Sequence, residues 1–155
     1  MKECAMLEKS FAEIYTKFKL SLYAKVFKHL DGGKDSLSAV EVFCLEVIYA
    51  LGRPTVNEFA TFAQISPPNA AYKVNQLVKK GYLLKVRNEE DKREYHLEVT
   101  EKYMHDYGIT YDYMNVVMHR IRQRFTPEEV EQLEGVLDII GKELMPEVTL
   151  GRKFE

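Results

Sequence analysis

Tryptophan is absent, cysteine occurs only twice, and no apolar run approaches the roughly 20 residues that span a bilayer. The two cysteines, Cys4 and Cys44, are far apart and form no C-x-x-C, which argues against a disulfide scaffold or a zinc finger. Cys44 falls on an apolar helix face and reads as a small buried hydrophobe. Cys4 stands near a terminus, where redox sensing would require a lowered thiol pKa that a sequence does not reveal. The opening MKECAMLEKSF lacks the apolar centre of a signal peptide, so a cytoplasmic protein without membrane association is expected. Catalytic signatures are missing as well: there is no G-x-S-x-G, H-E-x-x-H, P-loop or glycine-rich phosphate loop. His29, His96, His105 and His119 make no H-x-x-x-H pair. No enzyme, cofactor or metal site is therefore expected. There is also no excess of charge: the net value is −2, which alone argues against a nonspecific polyanion binder.

The charge is unevenly spread. Arg53 to Lys102 holds 9 basic and 7 acidic residues, so it carries +2, while the rest of the chain carries −4. Length suits one compact domain, or one domain with helical extensions. Leu7, Phe11, Ile14, Phe18, Leu22 and Phe27 mark a first helix over Leu7 to Leu30, roughly 35 Å long. So long a helix outreaches the core of a small domain, and a second copy of the chain is the simplest cover for the surplus. DGGKDS ends it.

Three capping boxes punctuate the rest of the chain: Ser38 with Glu41, Thr55 with Glu58, and Thr126 with Glu129. The first opens a helix with Val40, Cys44, Val47, Ile48 and Leu51 on one face. Gly52-Arg53-Pro54 closes it. The second opens a short helix with Val56, Phe59 and Ala60 inward, ending in a turn at Gln64-Ile65. Ser66 then caps a third helix whose first residue is Pro67, where a missing N–H costs nothing. It stops at Gly81. YLLKVR and REYHLEV read as two strands joined by Glu89-Glu90-Asp91-Lys92-Arg93. Thr100 caps a long helix striped by Tyr103, Tyr107, Tyr111, Met114, Met118, Ile121 and Phe125, weakened by Gly108. A final helix carries Val130, Leu133, Leu137, Ile140 and Leu144, and Pro146 ends it.

The expected fold is mostly α with a small β-hairpin: a winged helix-turn-helix over 35–100, flanked by helical dimerisation regions at 1–34 and 101–155. Such a unit suits B-form DNA, whose major groove admits one helix while a hairpin reaches phosphates or the adjacent minor groove. On the third helix Val74, Leu77 and Val78, with Ala70 or Ala71, form the inward face. Pro68, Asn69, Tyr72 and Gln76 point outward, with Lys73 at the border. Asn and Gln suit the adenine edge; Lys suits guanine or phosphate. An ordinary amphipathic helix would also show a polar outer face. The tyrosine stripe is read as core and dimer interface, and the basic run from His119 to Arg124 as a solvated helix end.

With these residues in place, the chain resembles the MarR family of transcriptional regulators over nearly its whole length. The resemblance rests on LSAVE, PTVNEFA, ISPPNAAYKVNQLVKKGYL, DKREYHLEVT and FTPEEVEQL, in that order. It implies a two-fold dimer straddling a pseudo-palindromic double-stranded DNA site, with the first and last two helices of each chain intertwined. It places the recognition helix at Pro67 to Lys80. It assigns minor-groove entry to Arg93, with Lys92 beside it, and orientation of that arginine to Asp91. It further implies a repressor that answers a small-molecule effector, whose identity the sequence does not give. Three positions depart from the family pattern: Tyr103 stands where glycine is frequent, Phe59 and Phe62 replace aliphatic or polar residues, and Pro67-Pro68-Asn69 opens the recognition helix. The four acids Glu89, Glu90, Asp91 and Glu94 around Lys92 and Arg93 favour the competing reading, a winged module that binds protein partners instead of DNA.

Overall fold

The computed structural model describes residues 4–29, 33, 36–89 and 91–151, without the side chains of Cys4, Ala5, Ile109 and Thr110. The break expected in DGGKDS therefore falls mostly outside the described residues, as do Leu30, Glu90 and any placement of the Cys4 thiol. Among the described residues, seven helices and one hairpin are arranged in order: α1 Cys4–His29, α2 Ala39–Leu51, α3 Val56–Ala63, α4 Pro67–Lys79, β1 Leu83–Arg87, β2 Tyr95–Val99, α5 Glu101–Tyr107, α6 Ile109–Arg124 and α7 Pro127–Glu143. This is the mostly helical, winged architecture expected. No helix among the described residues is long and apolar enough to cross a membrane.

Local chemistry sets the element boundaries. All three capping boxes close: Ser38, Thr55 and Thr126 each accept from the amide three residues on, and Glu41, Glu58 and Glu129 reach back. Gly52 ends α2 at φ 63°, and Gln64 ends α3 at φ 52°, the left-handed conformation that frees a helix end to turn sharply. Thr100 caps α5.

The core joins α1 to the winged unit. Val26, Leu45, Ile48, Phe59, Val74, Leu77, Leu83, Leu97 and Tyr103 form one buried cluster. The hairpin is antiparallel, pairing Leu83 with Val99 and Arg87 with Tyr95. An isolated bridge between Thr55 and His96 adds the α2–α3 connection to its edge. Leu97 donates to the Pro54 carbonyl at 2.8 Å.

Four expectations are revised. The helix after Thr100 is two helices, not one long helix, because Gly108 (φ −65°, ψ 14°) leaves the helical path. A side chain there would collide with the Met104 carbonyl oxygen. In α2 the buried face is Val42, Leu45 and Ile48, and Val40 is exposed. This helix is apolar nearly all round, so periodicity alone does not choose its face. Strand β2 begins at Tyr95 rather than Arg93, because residues 91–94 form the turn. Helix α7 closes at Glu143, with Leu144 as cap, before Pro146 is reached.

Candidate nucleic-acid interface

Helix α4 is built from both ends. The Ser66 hydroxyl accepts from the Asn69 amide at 3.4 Å, and Pro67 fills the first position. At the other end, the Lys80 ammonium donates to the Ser36 carbonyl at 3.1 Å and pairs with Glu41 at 2.8 Å. That same Glu41 completes the α2 capping box, so one carboxylate ties the end of α4 to the start of α2. Burial opposes ionisation of Glu41, yet the Lys80 and Ser38 hydrogen bonds outweigh it and hold its carboxyl below the ordinary range.

Ala70, Val74 and Leu77 are fully buried and fix the rotation of α4. Pro68, Asn69 and Tyr72 consequently face solvent, Tyr72 with 64% of its surface exposed. Lys73 and Gln76 are only half-buried flankers. Asn75 and Lys79 are exposed, and neither is among the residues expected from sequence. Their signal is nonetheless present: 68, 72, 75 and 79 keep helical spacing. The inward stripe runs 70–74–77 rather than through Val78, which rotates the outer face toward Asn75 and Lys79.

The hairpin is fastened to this helix. From β1, the Lys85 ammonium donates to the Asn75 side-chain oxygen at 2.6 Å. At the tip, the Asn88 amide donates to the Glu94 carbonyl and the Glu94 amide to the Asp91 carbonyl, both at 3.0 Å. The Asp91 carboxylate accepts from the main-chain amide of Arg93 at 2.9 Å. Asp91 thus shapes the turn on which Arg93 stands. Arg87, also not singled out by the sequence, donates from Nε to the Lys92 carbonyl at 2.9 Å and braces the tip from the neighbouring strand. Lys92 and Arg93 are exposed at this tip, together with Glu89, Asp91 and Glu94.

The base of the hairpin is pinned as well. The ring nitrogen Nδ1 of His96 lies 2.8 Å from the Arg53 carbonyl, and Arg53 pairs with Glu98 at 2.5 Å. Arg53 holds φ 61°, uncommon for a residue with a side chain, and these contacts are what hold it there. Gly81 turns at φ 80° between α4 and β1, and Thr100 donates to its carbonyl at 2.8 Å.

Tyr103 and Tyr107, from the tyrosine stripe, serve the core. Tyr103 is buried and donates its hydroxyl to Glu46; burial pushes the Tyr103 pKa far up and raises that of Glu46. Tyr107 stacks on Tyr103, and its hydroxyl accepts from the Leu37 amide at 3.4 Å. Beside them a cleft of about 450 Å³ opens among Ile48, Tyr49, Leu97, Val99 and Met104. The Cys44 thiol is half-buried, and burial raises its pKa, which disfavours thiolate chemistry. No group of three or more His, Cys, Asp or Glu side chains is placed to hold a metal among the described residues.

Comparison with known proteins places this geometry. A MarR family protein from Bacillus stearothermophilus superposes with a TM-score of 0.63 at 17% identity, covering 92% of this chain and 96% of that one. FabT of Streptococcus pneumoniae, solved in complex with DNA, gives a TM-score of 0.59 at 19% identity, covering 93% and 99%. A MarR family transcriptional regulator from Streptomyces coelicolor, also in complex with DNA, gives 0.54 at 21% identity, covering 97% and 94%. At these identities the superpositions establish the shared fold. No curated protein sequence matches. Residues 37–95 match the model of the MarR family, from the loop before α2 to the start of β2, so the winged part of this chain is similar to that family.

Proposed function

We propose that the protein is a sequence-specific DNA-binding transcriptional regulator that works in the cytoplasm as a homodimer on a pseudo-palindromic site. Helix α4 enters the major groove. Asn69, Tyr72 and Gln76 meet base edges or thymine methyls, while Pro68 fits the helix start against the backbone and Lys73 takes a phosphate or guanine. To these we add Asn75 and Lys79 on the same outer face. Arg93 enters the minor groove, where narrow A·T-rich segments concentrate negative potential, with Lys92 beside it and Asp91 setting the turn. The observation that carries this reading is the polar, solvent-facing edge of α4 locked by Lys85–Asn75 to the hairpin with Arg93 at its tip. The DNA complexes of FabT and the Streptomyces coelicolor regulator support it.

Homodimerisation through 1–34 and 101–155 is supported by apolar side chains that one chain leaves uncovered. Leu7, Phe11 and Ile14 of α1 and Leu133, Val136 and Leu137 of α7 are all exposed. The dimer represses transcription and releases DNA when a small molecule binds between the helical region and the winged unit. Selection from random duplexes tests the DNA reading: recovered sequences should hold two inverted half-sites about one helical turn apart. Recovery of no enriched sequence would favour the second reading, a protein-interaction module, for which the exposed acids Glu89, Asp91 and Glu94 speak.

A further inference from the structure

Beyond α7 the chain returns to the winged unit. Val148, Thr149 and Leu150, the first and last about half exposed, line a partly open cleft of about 250 Å³ together with Val47 and Leu51 of α2 and Phe62 of α3. At Gly151 the backbone abuts the end of α2: a methyl group there would overlap the Leu51 carbonyl oxygen and stand 2.9 Å from its carbon. Phe62 is otherwise unexplained. It lies one turn beyond the fully buried Phe59, near the end of α3, and is 48% exposed even with the segment in place. The segment gives that ring an apolar neighbour.

We propose that residues 145–151 are a strap that ties α7 to the α2–α3 joint and restrains the swing of the winged unit against the helical region. Asn69, Tyr72 and Arg93 are exposed with the strap in place, so it acts by restraint and leaves the DNA-facing surface open. Its anchor points are the aromatic seat at Phe62 and the close backbone approach at Gly151. The strap rests on the proposed function only in assigning α7 to the dimerisation region.

Two readouts on the full chain test it, with Gly151→Val and Phe62→Ala as strap variants. The first is hydrogen exchange. Amides of residues 148–151 should exchange about tenfold more slowly in the parent chain than in Gly151→Val. The second is a pulsed electron-spin distance within one chain, labelled at Glu89→Cys and Glu134→Cys in a Cys4→Ser, Cys44→Ala background and diluted into excess unlabelled chain. The parent should give a narrow distribution, and both strap variants a broader one. Unprotected amides in the parent would overturn the docking. Protection lost without broadening would overturn the restraint. Sedimentation of the parent as a monomer would remove the dimer reading yet leave this result standing, because the measured distance is within one chain.

Discussion

Replacing Lys80 with methionine removes the cation that holds the end of α4 to the start of α2 while keeping the length of the stem. Both partners are largely covered, with side-chain exposures of 24% for Lys80 and 21% for Glu41. Hydrogen bonds to charged groups contribute about 1.5–3 kcal/mol, and leaving one partner half-buried and unpaired costs more than losing an exposed pair. Glu41 keeps its bond from the Ser38 amide, at 2.7 Å, so part of its stabilisation survives. The expected loss is therefore about 1–2 kcal/mol, read by urea denaturation at fixed protein concentration. The pH dependence has a definite sign. Glu41 has a folded pKa below its ordinary value of 4.5, so its stabilising contribution is complete above that value and disappears as pH falls through the depressed one. The cost of Lys80→Met should shrink over the same interval, since a neutral Glu41 no longer needs the cation. In a Glu41→Gln background the substitution should cost much less, because the two effects share one interaction. A loss that is equal at neutral and strongly acid pH, or fully additive with Glu41→Gln, would mean that Lys80 does not act through the Glu41 carboxylate.

Other substitutions separate roles that sequence alone merges. Arg93→Ala should weaken operator binding by about 1–3 kcal/mol in a titration at fixed salt, with unchanged thermal stability. Asp91→Ala should also weaken binding, but accompanied by faster amide exchange at Arg93 and Glu94, because the carboxylate holds the turn backbone. Gly108→Val should lower the melting temperature by several degrees, about 1–3 kcal/mol, since the added carbons meet the Met104 carbonyl; a neutral result would mean the α5–α6 junction yields freely.

Much of this molecule is legible in its sequence because the signals are local. Each capping box joins residues three apart, so Ser38, Thr55 and Thr126 announce helix starts without knowledge of the fold. Pro67 and Gly81 bracket α4 in the same way. What escapes is non-local or degenerate. Lys80 meets Glu41 across 39 positions, and His96 meets Arg53 across 43. Neither pairing has a periodic signature. Helix α2 presents apolar residues all round, so its true inward face, Val42–Leu45–Ile48, emerges only from packing. On α4 an uncertainty of one residue in the buried stripe moves the outer face from Gln76 to Asn75, which changes one candidate base contact. The family resemblance assigns Asp91 to Arg93; the geometry adds the atom, the main-chain amide.

On the proposed function, α4 and the hairpin together grip double-stranded DNA. Affinity for the chain's own upstream DNA, measured across a salt series, tests it most directly. A dimer neutralising several phosphates should give a log–log plot falling with a slope of about −0.9 per phosphate contacted, and Lys79→Ala should make that slope shallower by about one unit per protomer. No binding at low salt, or binding indifferent to salt, would mean that this surface does not grip DNA phosphates.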